Sequence, residues 1–495
     1  MKIKTIAIHL KYSKNSHVFH NIKASVADIL QDKDFCESGV IEAVTVIIMS
    51  SIEPILNSAK NTAAMYFNNQ YRNETTVSKR AIGVIKYPDL LVDYACKARE
   101  NVYDAVLNKN GIIDLGLAEN TLCEDMILKK LNDIHSKIKI QHEDLYYFKN
   151  HGSDKFREAV SKFMTTFLHP INPIDKNNLI TLSGVTSLLN IVAFGLAEEN
   201  DYFLCLTPYY SRIRNDILDF ARIQTYDVSI KETGPNGEIE YIVTYKKLEA
   251  AYLKAKEKGY SIKGIVVINP NNPTGRLLPK NEIEIIFQFA KSFDLHAIFD
   301  EIYGLSIFGT DAEPMSVLSM NIPQPTKTHV LWGFSKDLAL SGFRCGVLYS
   351  QNDKLLSFMR KVSFYSGISM VVQNLLTRFI EDIDWFKNIY FPTLRERMSE
   401  TYEMAVSQLE SKGVTVYRSS GGFFIWANFC KFMKEDTFEC EMELFKTFFE
   451  HKVFFCGGRI SYSKEPGWFR IIFTRKMPIL KVALERIEKV LELYG

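Results

Sequence analysis

The chain has 495 residues, 46% of them hydrophobic and 24% charged, with a formal net charge of +2. Those values describe a globular protein of roughly two to three domains, and they give no electrostatic reason to expect a nucleic acid or an acidic membrane as partner. Eight cysteines and ten histidines are scattered without a Cys-x-x-Cys pair or a His-x-x-x-His spacing, so no metal site is expected, and isolated thiols fit a reducing compartment better than a disulfide framework.

The first residues, MKIKTIAIHLKYSKNSHVF, hold too brief an apolar run for a secretory signal. The patch from Ala43 to Leu56 is broken by Ser50, Ser51, Glu53 and Pro54 and falls short of a membrane span. Cytoplasmic residence is the resulting expectation. Residues 1–75 read as an accessory segment used for packing or partner contact, without clustered ionisable residues, and the asparagine-rich YFNNQYRNETT reads as a linker. From Ser78 an α/β pattern begins. LVDYACKARENVYDAV predicts a helix, and GIIDLGLAENTLCEDMILKKL a glycine turn that leads through Glu119 and Asn120 into an amphipathic helix. DKFREAVSKFMTTFL predicts another helix, with Phe156, Val160, Phe163 and Phe167 on one stripe.

Seven strand-like runs follow: LITLS, YFLCLT, IQTYDV, GIVVIN, HAIFDEI, HVLWGF and GVLYS. They are nearly continuous in apolar residues, the pattern of strands buried on both faces of a mostly parallel sheet. Several end in a polar or glycine-rich turn, at the edge where open α/β sheets place their ligands. One large α/β domain is therefore expected over residues 167–373. Residues 374–495 change character: a long helical region through WFKNIYFPTLRERMSETYEMAVSQLESKG with Pro392 as a kink, strands in GGFFIWANF, VFFCGGRISY and GWFRIIFT, and a closing helix. Those features predict a smaller α+β domain.

Each sheet-edge turn offers chemistry and also an ordinary reading. Lys336, after the HVLWGF strand, has an amine suited to a Schiff base with an aldehyde cofactor, and Arg344 a planar fork suited to a phosphate; the same stretch also reads as a turn and a surface charge. Thr186, in SGVTS before an apolar helix, suits a docked phosphate or a simple cap. Asn272, inside the rigid string NPNNPTG, can offer an amide to a phenolate oxygen. Asp300, closing a hydrophobic strand in FDEIY, stays ionised only beside a cation such as a pyridinium nitrogen. Tyr209 and Tyr210 present aromatic faces for stacking or for the core. Arg470, in EPGWFRIIF, is either a carboxylate anchor or a solvated strand-edge charge.

Taken together, these strings resemble the fold-type I pyridoxal-phosphate enzymes, and more narrowly the class I and II aminotransferase family with its 1-aminocyclopropane-1-carboxylate synthase-like branch. GLAEN, NPNNPTG, DEIY, SKDLALSGFRCG, TFECEMELF and EPGWFR carry the resemblance, which covers the chain from about Ser78 onward. It implies pyridoxal 5'-phosphate as cofactor, a homodimer, and a large domain with a mostly parallel seven-stranded sheet between helices. Residues 76–166 would form an arm and the first part of the smaller domain. By the same resemblance Lys336 is the Schiff-base lysine and proton shuttle, Asp300 the partner of the ring nitrogen, and Asn272 and Tyr303 the donors to the ring oxygen. Tyr209 stacks on the ring; Val185, Thr186, Ser335 and Arg344 lie at the phosphate; Arg470 clamps the substrate α-carboxylate; Glu119 lies near the substrate. Two positions depart from the pattern: Gly333 replaces the usual serine or alanine, and Asn150 replaces a tyrosine that crosses the dimer interface in the synthases.

The implied activity is chemistry on an α-amino acid, as an aminotransferase or as a lyase that expels a γ-substituent and closes a cyclopropane. A ligand sensor that keeps the fold without turnover is the rival from another class. Against it stand the neutral charge, the lack of a basic recognition helix, and the joint presence of Lys336, Asp300 and Arg470.

Overall fold

The structure is a computed structural model that describes residues 76–86, 89–147, 149–235, 238–309, 313 and 315–494. Contacts divide the chain between Tyr87 and Pro88. In the first unit the described part is the helix Lys79–Lys86, whose start is capped by Ser78: its Oγ accepts from the Ala81 N–H at 3.2 Å. The strand, helix and linker expectations for residues 1–75 lie outside the described residues.

The second unit is built on a seven-stranded sheet. Its strands are β1 (Leu179–Leu182), β2 (Tyr202–Thr207), β3 (Gln224–Ser229), β4 (Ile262–Ile268), β5 (His296–Asp300), β6 (Thr328–Gly333) and β7 (Gly346–Ser350). They lie in the order β1, β7, β6, β5, β4, β2, β3, and only β7 runs against its neighbours. The apolar runs that predicted seven strands thus form one mostly parallel sheet, each strand within two residues of its expected start. Helices Val185–Leu196, Tyr245–Glu257 and Lys280–Ser292 connect consecutive parallel strands. They cover the sheet and bury residues such as Leu188, Leu248 and Ile286 completely.

The carboxy-terminal part forms a second, antiparallel sheet: β8 (Thr415–Tyr417), β9 (Phe424–Asn428), β10 (Cys456–Gly457) and β11 (Trp468–Ile472), in the order β8, β9, β11, β10. Trp426 and Trp468 stack across it with centroids 5.5 Å apart. The segment that starts at Ile113 joins this part of the chain through a separate two-stranded pairing and one bond to β11. Ile113–Asp114 pairs in parallel with Val453–Phe454, and the Leu115 carbonyl accepts from the Ile472 N–H at 2.9 Å. Glu441, on the helix Phe438–Glu450, accepts the N–H groups of Arg459 and Gly467, each at 2.9 Å. Those bonds fix both ends of the connection between β10 and β11, so the TFECEMELF string has a structural role here.

One local expectation is corrected. The helix expected through LVDYACKARENVYDAV stops at Arg99. Beyond it the Asp104 carboxylate accepts the N–H groups of Val106 and Leu107, and Asn108 Nδ2 donates to Asn101 Oδ1 and the Val102 carbonyl. Such local side-chain bonds compete with helical ones and turn the chain back. Pro392 lies in the first turn of Phe391–Ser411, directly after a π-helical segment Phe386–Tyr390. Among the described residues no helix is long and apolar enough to cross a membrane, and no group of three or more His, Cys, Asp or Glu side chains is placed to hold a metal.

Candidate active site

One cavity of about 290 Å³ lies at the carboxyl edge of the large sheet. Its walls include Glu119, Val185, Thr186, Asn272, Asp300, Tyr303, Ser335, Lys336, Arg344 and Arg470, ten of the eleven residues singled out from the sequence. Parallel strands explain the convergence. Asp300 is the last residue of β5, Asn272 lies in the turn after β4, and Ser335 and Lys336 follow β6, so adjacent strands deliver adjacent chemistry.

Tyr209 is the exception, and the expectation that it stacks over a bound ring is corrected. Its ring packs on Tyr462 with centroids 4.6 Å apart, and its hydroxyl donates to Asp227 Oδ1 at 3.1 Å. Those contacts hold it on the far side of the turn after β2, where it lines a separate small apolar space. Tyr210 lines the cavity instead. The doublet in LTPYYS contains the right residue type, and only the turn geometry selects between its members.

Lys336 donates from Nζ to the Ala118 carbonyl at 2.6 Å. Burial lowers its proton affinity to about 8, partly opposed by the nearby Glu119 carboxylate; Arg470 and Arg344 push the same way as burial and Asp300 pushes back. An amine with that value is partly neutral near pH 7, as a nucleophile or general base requires. Asp300 is buried, and its proton affinity is raised to about 7, first by burial. The Ile302 N–H, at 3.2 Å from Oδ1, opposes that shift, Asp216 adds to it, and Lys336 opposes it.

One end of the cavity is formed at the start of the helix Val185–Leu196. Gly184 precedes that helix with φ 88° and gives no side-chain cap, so the first N–H groups have no side-chain acceptor. A Cβ at Gly184 would sit 2.5 Å from Arg344 Nη2, so glycine is what lets the guanidinium approach. Arg344 itself has φ 52° and is braced by Nη1 donating to the Ser341 carbonyl at 3.0 Å. Gly333 has a packing reason: a Cβ there would meet the Cys345 carbonyl at 2.9 Å and Ile302 Cδ1 at 3.0 Å. The serine or alanine expected at this position would not fit this chain without movement. Asn150 is not part of the cavity wall; its backbone packs against Gly367.

Arg470 is the third of the five residues of β11 and only 2% exposed, so it is not a solvated strand-edge charge. Nη1 donates to Asn272 Oδ1 at 2.9 Å, Nη2 donates to the Gly116 carbonyl, and Nε has no partner. Among the described residues no carboxylate lies within ion-pair distance of it. A buried guanidinium without an anion is costly, a cost that a carboxylate beside it would offset.

Three further side chains belong to this site. Asp216 lines the cavity together with Thr186, and has Oδ1 without a hydrogen-bond partner, 3.6 Å from Arg212 Nη2. Burial raises its proton affinity to about 6. Arg99 lines the mouth. Asp337, beside the lysine, is fully buried: Oδ2 accepts from Leu305 N and Trp332 Nε1, Oδ1 from the Ser306 hydroxyl, and Tyr390 Oη donates to its carbonyl at 2.9 Å. One carboxylate thus ties the turn after β5 to the turn that carries Lys336. Asp337→Ala is expected to destabilise the fold by about 3 kcal/mol, because three buried donors lose their acceptor; a denaturant melt of the apoprotein checks it, and an unchanged midpoint would refute the clamp.

The donor set fits pyridoxal phosphate. An uncapped helix start and Arg344 can take the phosphate, Asp300 the ring nitrogen, Asn272 and Tyr303 the ring oxygen, Tyr210 the ring face, and Lys336 the aldehyde. Among the described residues the amide N–H₂ of Asn272 meets no protein acceptor, since only its oxygen is engaged, by Arg470.

Comparison with known proteins gives the same answer. The sequence matches the family profile "Aminotransferase class I and II" over residues 112–487. It is 33% identical over 397 residues to the Bos taurus protein named 1-aminocyclopropane-1-carboxylate synthase-like protein 1, covering 79% of this chain and 78% of that one. It is 31% identical over 418 residues to a Mus musculus protein named "Probable inactive 1-aminocyclopropane-1-carboxylate synthase-like protein 2", covering 84% and 72%. The fold is similar to that of aspartate aminotransferase from Thermus thermophilus solved with maleate, with a TM-score of 0.68 at 18% identity over 84% of this chain and 99% of that one. The chain belongs to the class I and II aminotransferase family of fold-type I pyridoxal-phosphate proteins, in its 1-aminocyclopropane-1-carboxylate synthase-like branch.

Proposed function

We propose that the protein is a pyridoxal-phosphate-dependent aminotransferase that acts on an α-amino acid. The observation that carries this reading is the buried, anion-free guanidinium of Arg470 in the same cavity as the Lys336 amine. When bound, the cofactor supplies an aldehyde for an amine and a cationic ring that withdraws electrons from the substrate α-carbon. Arg470 would take the substrate α-carboxylate, with Asn272 holding the guanidinium in plane. Lys336 would hold the aldehyde; once free, its Nζ is the base that removes and returns a proton. Asp300 would keep the ring nitrogen protonated, and the Gly184 turn with Arg344 would anchor the phosphate.

Two other readings each rest on an observation. Cyclopropane formation is supported by the names of the relatives and by Glu119 in the cavity wall. A non-catalytic role is suggested by the name of the mouse relative, and it is opposed by the presence together of Lys336, Asp300 and Arg470. Incubation of the purified protein, loaded with cofactor, with an amino acid plus 2-oxoglutarate is expected to yield the exchanged amino and oxo acids. S-adenosylmethionine is expected to yield no cyclopropane product. Cyclopropane formation would replace the reading with the lyase; absence of either product from a broad amino-acid panel would replace it with the sensor.

A homodimer and cytoplasmic residence are part of the proposal. Supporting the first, Tyr147 and Phe364 are 91% and 70% exposed with ring centroids 6.2 Å apart, and Tyr365 beside them is 89% exposed, an apolar surface suited to a second copy. A partner for residues 1–75 remains a proposal from sequence alone.

A further inference from the structure

Asp216 is a second buried acid in the cavity wall, and the cofactor proposed to fill that cavity brings one ring cation, which Asp300 faces. Asp216 is 6% exposed, and its Oδ1 has no hydrogen-bond partner. It sits against the helix whose start would take the phosphate. Asn190, one turn after Thr186 on that helix, donates from Nδ2 to the Asp216 carbonyl at 2.7 Å, and Thr186 and Leu189 share the cavity wall with Asp216. The charges around the acid leave it partly matched. Arg212 Nη2 stands 3.6 Å from Oδ1, outside hydrogen-bond range, while Nη1 of the same guanidinium is bonded to Asp89 Oδ2. Asp89 is held in turn, its Oδ1 accepting the Val92 N–H as the cap of the helix Leu90–Arg99. Asp219, at the end of the Asp216 helix Arg212–Leu218, and Asp300, at the end of β5, add negative charge. Tyr210 faces it as an uncharged phenol, its proton affinity raised first by burial. The cations of the same wall are Lys336, Arg344, Arg470 and Arg99. A phosphate docked at the start of Val185–Leu196 would therefore meet a carboxylate in a space poor in water. An ionised acid has acceptors alone and repels such an anion; the neutral acid has an O–H to donate to it.

From this we infer that Asp216 takes up a proton when a phosphate docks beside it and hydrogen-bonds to that phosphate as a neutral acid. The inference rests on the cofactor reading and adds a binding residue to it. The proton comes from solvent, and no covalent bond to carbon, nitrogen or phosphorus changes. Burial already raises the Asp216 proton affinity to about 6, with Arg212 acting against it. The empty site near neutral pH thus holds the acid mostly ionised, and the proton has to be acquired on binding. The two acids then end in opposite states. A neutral Asp216 no longer pushes the Asp300 proton affinity up, which favours the ionised Asp300 that a ring cation needs.

The test titrates the full chain, freed of cofactor, with pyridoxal 5'-phosphate and separately with sulfate, which shares the tetrahedral shape of phosphate and gains no proton near neutral pH. Calorimetry in two buffers of different ionisation heat is expected to count close to one more proton taken up by the wild type than by Asp216→Asn at about pH 8, with either ligand. Pyridoxal, which lacks the phosphate, is expected to give equal counts in the two proteins. Wild-type sulfate affinity is expected to fall by up to about tenfold per pH unit above about 6, and that of Asp216→Asn, whose amide donates at any pH, to stay level. Asp216→Ala keeps no donor and is expected to bind sulfate more weakly than Asp216→Asn. Equal proton counts with pyridoxal 5'-phosphate, a wild-type sulfate affinity that stays level between about pH 6 and 8, or equal sulfate binding by the two variants would each overturn the inference and leave the cofactor reading standing. Sulfate binding with the extra proton, in a protein that takes no pyridoxal 5'-phosphate, would keep the role of Asp216 and remove the cofactor.

Discussion

Replacing Lys336 with alanine is expected to lower turnover by more than about 10⁴-fold, the upper range for loss of a general base, and to remove covalent attachment of the cofactor. The reason is local. Among the described residues Lys336 is the one lysine in the cavity wall, held at 2.6 Å from the Ala118 carbonyl with its proton affinity lowered to about 8 by burial. The measurement is borohydride reduction of the loaded protein followed by peptide mapping. Wild type should carry the reduced cofactor on Lys336, and the variant on no residue. The variant should still bind the cofactor reversibly, because the Gly184 turn, Arg344 and Asp300 are untouched. Cofactor trapped on another lysine in the wild type would move the active centre elsewhere. Because Lys336→Ala also removes a positive charge facing Asp300, Lys336→Arg is the matching control: it keeps the charge and cannot attach the aldehyde.

Much of this site is legible because parallel strands buried on both faces announce themselves as uninterrupted apolar runs, and ligand residues follow their carboxyl ends. β2 and β7 fall where YFLCLT and GVLYS place them. Asp300, Asn272 and Lys336 follow the same logic. What the sequence withholds is side-chain direction within a turn and contacts distant in sequence. Tyr209 and Tyr210 differ only in which way the turn after β2 sends them, and the stack on Tyr462, more than 250 residues later, decides it. Asp216 belongs to no string that suggests a site; its burial is visible only once its helix, Arg212–Leu218, packs beside Val185–Leu196. Arg99 gives no signal either, because the partner that brings it to the mouth, Glu119, is placed by the pairing of Ile113–Asp114 with Val453–Phe454. Residues 1–75 are where sequence reasoning stops, and they lie outside the described residues.

Asp300→Asn is expected to reduce turnover by about 10³-fold, the usual cost of removing a preorganised charge from a buried site, and to change how cofactor binding depends on pH. In the apoprotein the Asp300 proton affinity is raised from 3.8 to about 7, first by burial and then by Asp216, with the Ile302 N–H and Lys336 acting against them. The folded value lies above the unfolded one, so this group's contribution to stability is fully present below about pH 4 and is lost as the pH rises through about 7. A heterocyclic cation beside it pairs with the ionised acid. Below about pH 7 the apoprotein must give up the Asp300 proton to close the pair, and above about pH 7 the carboxylate is already ionised and keeps the proton that the ring brings. Wild-type cofactor affinity is therefore expected to rise with pH by up to about tenfold per unit below about 7 from this group, and to level off above it. The amide introduced by Asp300→Asn holds no proton on the ring nitrogen, so the variant should not level off at about 7. Both proteins keep Lys336, whose own proton change on binding cancels in the difference between the two titrations. Calorimetry in two buffers of different ionisation heat counts the protons directly, and the wild type should take up close to one more than the variant at about pH 8. Equal proton uptake in the two proteins would mean that Asp300 does not face the ring nitrogen, and the role given to the end of β5 would have to be abandoned.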